Sequence, residues 1–443
     1  MSEEVLVFSH SITPRLQYLI QFLSQYYKLE FRLTSDEGKY ASWEHPCKIN
    51  YSYHPLQKEE IYIHSHALLF ESSIRQVKTD CVKMERYIAF FCTEGVLGFD
   101  LFAAIFYLLT RYEEYLPHKR DQYGRYAHRN SLASRENFLH LPLINIWLED
   151  FRRLLIEKNE AFRSKQNRPA FSFLPTYDID MAWSFLHKGS MRNLGGVLSM
   201  LAKGRLRSVA YRLKVLKQKL SDPYDAYQWL DEMHSRFGLQ PVYFFLLAKD
   251  RNKFDKNIHP AQPALQQLVQ NTARRYTTGL HPSWASNKLP SLLTEEKHTL
   301  EKLTSQPVLH SRHHYIKIDL PKTYQRLLAL GIMNDYSMGY GSINGFRASV
   351  ATSYFWYDLK NEQTTRLLVH PFCFMDANSF YEQKQTPAES LAELFQYAEE
   401  VKKVGGQLIT IWHNSFLGSS PDFAGWKEIY LEFIGSFSDR LTR

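Results

Sequence analysis

Thr176-Tyr177-Asp178-Ile179-Asp180 follows an apolar run and sets two carboxylates two residues apart. Such a pair can divide labour: one ligates a divalent cation while the other accepts a proton from a neighbouring water. A turn whose aspartates cap backbone N–H groups is the plainer alternative. Gly279-Leu280-His281-Pro282-Ser283-Trp284 offers an imidazole, a good zinc ligand, with Pro282 to stiffen the loop that aims it; a surface histidine in a turn is its alternative. His310-Ser311-Arg312-His313-His314-Tyr315 crowds three imidazoles around a guanidinium, a combination suited to metal, anion or proton handling, or to a solvated basic strand. Arg347, in Gly345-Phe346-Arg347-Ala348-Ser349, could pair with a catalytic carboxylate and hold it ionised. The apolar run ending in Trp412-His413-Asn414 delivers an imidazole that could protonate a departing amine beside an indole wall. An ordinary structural role is the alternative for both.

These side chains need a frame that collects them. Beyond residue 169, strands are expected at 170–177, 241–247, 277–280, 307–310, 332–336, 345–348, 367–369 and 407–412. Helices are expected between them at 226–237, 261–276, 295–303, 321–330 and 387–404. The last has Thr386 as N-cap, Pro387 in its first position, Glu389 to close a capping box and Gly405 as its stop. Strands alternating with helices argue for a parallel sheet, and roughly seven or eight such units for a distorted (β/α) barrel. In a barrel the carboxyl ends of all strands lie on one face. Asp178, Asp180, His281, His314, Arg347, His370 and His413 would then converge there.

A smaller α/β domain is expected before the barrel. It has a strand at 5–9, a helix at 14–27 begun by a proline, a second strand at 29–34, and apolar-striped helices at 99–115 and 143–156. The polar stretch 157–168 reads as a linker, which divides the chain into domains 1–165 and 166–443. At 443 residues the chain is too long for one average domain.

Hydrophobic residues make up 44% and charged residues 23%, so the chain is globular rather than disordered. The net charge of +8 is mixed with acids along most of the chain, and no nucleic-acid-binding tract stands out. The exception is 188–219, where nine lysines and arginines interleave with apolar residues and no acid occurs. It could be a basic amphipathic helix in peripheral contact with an anionic membrane or glycan, or a solvated helical face. The four cysteines are scattered and form no CxxC pair. The first residues are acidic where an export signal is basic, and no run approaches the roughly 20 apolar residues of a membrane span. The cytoplasm is therefore the expected compartment.

Taken in order, Thr176–Asp180, Gly279–Trp284, Gly345–Ser349 and Ile411–Asn414 resemble the motifs of the polysaccharide deacetylase, or NodB-homology, family of carbohydrate esterases. The resemblance covers residues 170 to 443. It implies a distorted barrel, one divalent metal, usually zinc, and removal of acetyl groups from N-acetylated sugars in chitin-like polymers, peptidoglycan or lipid-linked precursors. By that resemblance Asp178 is the base and Asp180 a metal ligand. The usual second motif carries another imidazole four residues after the first, where this chain has Ala285. His314 is expected to replace it, giving Asp180, His281 and His314 around the metal. Arg347 would orient Asp178, a backbone N–H after Arg347 would help hold the oxyanion, and His413 would protonate the leaving nitrogen. Trp284, Trp412, Arg312 and Tyr354 would contact the sugar. Residues 1–160 resemble an N-terminal extension of a bacterial subgroup, most clearly at 111–126, and no activity attaches to it. Asp222–Asp225 and Phe254–Asn257 also resemble that subgroup and are expected as rim loops.

Two other readings stand beside this one. A barrel glycoside hydrolase could use two carboxylates without a metal, for instance Asp178 with Asp376. A non-catalytic glycan-binding protein of cell-surface polysaccharide biosynthesis would explain Ala285.

Overall fold

The computed structural model describes residues 4–44, 47–58, 60–158 and 169–438. Near the N-terminus, β1 (Glu4–Phe8), β2 (Glu30–Thr34), β3 (Lys48–Ser52) and β4 (Ile61–His64) form a parallel sheet in the order β2-β1-β3-β4. Parallel neighbours need a crossover. Helix Pro14–Tyr27 supplies the one from β1 to β2, with the Thr13 side chain accepting from the Leu16 N–H and Pro14 in the first turn. A small hairpin, β5 (Val82–Lys83) and β6 (Ile88–Ala89), follows.

The second sheet contains β7 (Phe171–Ile179), β8 (Val242–Phe245), β9 (Thr277–Leu280), β10 (His310–Ser311), β11 (Asn334–Asp335), β12 (Tyr354–Asp358), β13 (Gln363–Val369), β14 (Phe374–Met375) and β15 (Gly406–His413). Its order is β12-β13-β11-β10-β9-β8-β7-β15-β14. Every pairing is parallel except the β12–β13 hairpin. Helix Pro387–Val404 leads into β15 with the expected capping box between Thr386 and Glu389, and Gly405 ends it at φ 74°.

The fold is mixed α/β as expected, and the sheet is seen without the closure of a complete barrel: no ladder joins β12 to β14 among the described residues. The expected strand at 345–348 does not form. Gly345 has φ +131°, and a Cβ there would lie 2.7 Å from the Leu139 carbonyl oxygen. The segment is instead tied to the N-terminal part: Phe346 N–H donates to Leu139, and Ser349 accepts from Ile144 N–H. On its other side Gly345 N–H donates to Cys373 and Gln407 N–H to Ala351, so this irregular segment runs beside β14 and β15. The hairpin partner β12 pairs antiparallel with β13 and forms one edge of the described sheet.

One hydrophobic core runs through both parts of the chain, joining Leu19, Phe106 and Trp147 to Trp356, Leu408 and Trp412. Tyr18 donates to the Phe355 carbonyl, and the buried Arg15 pairs with Glu362. The expected domain boundary at 165/166 lies outside the described residues, as does the linker from residue 159 onward. No described helix is long and apolar enough to cross a membrane.

Candidate active site

The carboxyl ends of β10, β9, β7, β15 and β14, with β8 between β9 and β7, carry the reactive side chains. Asp178 is the penultimate residue of β7 and Asp180 lies one residue beyond the strand's end, and side chains two apart on a strand share a face. His281 extends β9, its N–H donating to the Phe245 carbonyl. Close packing places it there: a Cβ on Gly279 would lie 2.6 Å from the Phe244 ring and 2.9 Å from the His310 carbonyl. His314 follows β10, and its N–H donates to Pro282.

Asp180, His281 and His314 offer three ligand atoms within 4.8 Å of one another. His281 Nε2 is 3.1 Å from Asp180 Oδ1, and His314 Nε2 is 3.4 Å from Asp180 Oδ2. The other ring nitrogens are committed elsewhere. His281 Nδ1 donates to the Arg312 carbonyl at 2.5 Å, and His314 Nδ1 donates to Asp255 Oδ1 at 3.0 Å. Both Nε2 atoms are thereby left facing the carboxylate, as in metal sites whose histidines are aimed by outer partners. Asp180 Oδ1 is buried and receives no hydrogen bond among the described residues. This donor set fits a divalent cation.

Burial disfavours charge on His314, but Asp180 and Asp255 outweigh it and raise its pKa to about 9. A cation entering the site therefore displaces a proton. Asp178 Oδ1 accepts from the fully buried Arg312 at 3.0 Å, while Oδ2 is 3.8 Å from His281 Nε2. Arg312 also donates to Thr176 Oγ1 and the Tyr336 carbonyl and stacks 4.6 Å above the Phe244 ring. On the other side His413 Nε2 lies 3.7 Å from Asp180 Oδ2. Its Nδ1 donates to Asp376 Oδ1 at 2.6 Å, and its backbone N–H donates to Asp376 Oδ2 at 2.7 Å. Burial again opposes the imidazolium, yet Asp376 and Asp180 raise the His413 pKa to about 10.

These groups floor a cavity of about 570 Å³. Tyr123, Phe254, Tyr315 and Tyr381 are among its walls. Tyr123 and Arg125 come from the 111–126 stretch of the N-terminal part. Arg125 is held by Asp121 and donates to the carbonyls of Tyr315 and Gly341. No local signal in this stretch marks it as part of a site, because its contribution depends on a contact some 190 residues away.

Several expected site residues lie elsewhere. Arg347 does not reach Asp178: its guanidinium is bound to Glu114 at 2.5 and 2.9 Å, a partner 233 residues distant. The backbone after Arg347 is bound to Ile144 and Asn145, which do not line the cavity. Trp412 is fully buried, because neighbours on a strand face opposite ways and His413 takes the cavity side. Tyr354 is buried in β12 within the core. Trp284 stacks on Phe254 with centroids 4.0 Å apart, behind the lining rings. Arg312 is sealed beneath Asp178 and cannot touch a sugar. His370 stacks on Tyr336 and bonds Ser353 and Asn334. Asp376 is engaged by His413, so it is not the free second carboxylate that a metal-free glycosidase needs. Asp255, expected only as part of a rim loop, is the residue that aims His314. Asp222 holds the backbone N–H groups of Ser184, Phe185 and Leu186.

A family described only as of unknown function (DUF7033) matches residues 5–160. No curated protein sequence matches the chain. Among solved structures, a Mycobacterium smegmatis protein described as a putative polysaccharide deacetylase is similar at 13% identity and TM-score 0.39, covering 61% of this chain and 85% of its own. A polysaccharide deacetylase from Bacillus cereus is similar at 10% identity and TM-score 0.30, covering 61% and 88%. The Puue allantoinase is similar at 12% identity and TM-score 0.37, covering 60% and 84%.

Proposed function

We propose that this chain is a metal-dependent hydrolase that removes N-acetyl groups from a sugar or glycan. The observation that carries this reading is the convergence of Asp180, His281 and His314 between an arginine-held Asp178 and an aspartate-held His413. One carboxylate and two imidazoles suit zinc and leave coordination positions open. When bound, such a cation acidifies water and polarises an acyl carbonyl.

The protein's own groups supply the proton transfers. Asp178 has one oxygen fixed by Arg312, which orients the carboxylate and leaves Oδ2 to take a proton from the attacking water. Asp376 orients His413 through two contacts and favours its protonated form, so Nε2 carries the proton for the departing nitrogen. An amine leaves poorly without that proton. The aromatic walls give flat faces for the C–H side of a sugar ring. The motif resemblance around Asp178, His281 and His413 favours an acetylated amino sugar among acyl substrates. Residues 111–126 build part of the wall, so the N-terminal part shapes what the cavity admits.

The test is acetate release from N-acetylglucosamine oligosaccharides by protein stripped of metal and then resupplied with zinc. Release that requires zinc and is lost in Asp178→Asn supports the reading. Release that survives stripping overturns it, as does new reducing ends without acetate. Oligosaccharide binding without acetate release at any zinc level would point to a glycan-binding protein instead.

A further inference from the structure

We propose that the helical hairpin at 190–216 docks the protein onto an anionic lipid bilayer, on the same face as the cavity. The hairpin consists of helices Ser190–Ala202 and Leu206–Leu216, inserted after the β7 end that carries Asp178 and Asp180. The first helix buries none of its residues. Met191, Leu194, Leu198 and Leu201 recur at helical spacing along one side, and they are 82%, 57%, 57% and 44% exposed. Leu206 and Leu213 are 68% and 42% exposed on the second helix. A stripe of this kind in water is costly unless something covers it.

Charge selects the cover. Lys203, Arg205, Arg207, Lys214, Lys217 and Lys219 are all exposed, and none forms an ion pair among the described residues. No acid occurs between Asp180 and Asp222. A second copy of the same hairpin would bring like charges together, whereas anionic headgroups neutralise the cations while acyl chains accept the leucines. Nucleic acid would satisfy the cations and leave the leucines in water. The base of the hairpin is tied to the cavity rim. Arg192 donates to the carbonyl of Lys256, a lining residue, and the buried Arg212 bonds Asn193 and stacks over Phe185. A bilayer bound there lies beside the cavity mouth, whatever reaction the cavity performs.

Vesicle co-sedimentation of the full chain tests this without reading activity, so its failure leaves the hydrolase reading standing. Binding is expected to phosphatidylcholine vesicles containing phosphatidylglycerol, and to weaken at least about tenfold on vesicles of phosphatidylcholine alone. Two variants separate the contributions. Leu194→Ser with Leu198→Ser, and Lys203→Glu with Arg207→Glu, alter only exposed side chains and should each cut binding about tenfold or more with unchanged circular dichroism. Binding equal on both vesicle types would overturn the proposal. So would no binding to either, binding indifferent to both variants, or a solution dimer that the leucine variant dissociates.

Discussion

Asp255 accepts a hydrogen bond from His314 Nδ1 at 3.0 Å, and its carboxylate is itself held by the backbone N–H groups of Trp284 and Ala285. Position 285, where the resembled motif has an imidazole, thus supplies backbone to the residue that aims a replacement imidazole. Asp255→Asn should keep the fold and lower zinc affinity by about 10–100-fold, seen by competition with a chelating dye. Activity should return at saturating zinc.

Arg347 and Glu114 are a buried pair remote from the chemistry. Removing one partner of such a pair costs about 3–5 kcal/mol, so Arg347→Met should lower the denaturation midpoint sharply. Turnover per folded molecule should hardly change. A residue that oriented Asp178 would show the reverse.

The same pair gives a pH dependence. Burial would raise the Glu114 pKa, but Arg347 and Arg111 bring it down to about 2. In the unfolded chain a glutamate titrates near ~4.3. A depressed folded pKa stabilises the protein above the unfolded value, and the gain disappears as pH falls towards the folded one. Wild type should therefore lose this stability between about pH 4.5 and about pH 2, and Arg347→Met should lose less over that window, as read by urea denaturation.

Asp376→Asn removes the charge that orients and protonates His413. The variant should lower kcat about a hundredfold on an amide substrate, with KM within about threefold of wild type and metal content unchanged. A rise in KM with kcat intact would instead make Asp376 part of substrate binding.

Under the proposed division of labour, in which Asp178 moves a proton and Asp180 holds the cation, Asp178→Asn should reduce kcat by about 10²–10⁴-fold at unchanged zinc content. Loss of zinc from Asp178→Asn would show that the two roles are not divided in this way.

Much of this site is legible in the sequence because strand ends announce themselves. The apolar runs before Asp178, His281 and His413 become strands, and parallel neighbours bring their ends together. The ladder order that puts β15 beside β7 is also the order that puts His413 beside Asp178. What the sequence conceals is long-range pairing. Nothing near Arg347 names Glu114 as its partner, and nothing near Asp376 names His413, because each bond forms only after distant segments fold together. The missing strand at 345–348 is hidden for a related reason: the fate of 345–351 depends on the chain at 139–145. Trp412 is a different case. Strand alternation alone forbids it to share a face with His413, so that signal was present in the sequence.

Elemental analysis of the purified protein beside Asp180→Ala and His314→Ala is the most direct test of the three-residue metal centre. The expected result is a stoichiometric divalent metal in the parent and its loss from both variants, each still folded by circular dichroism. Equal metal in the parent and in His314→Ala would contradict the assignment of His314 as the third ligand, and equal metal in all three would remove the site altogether.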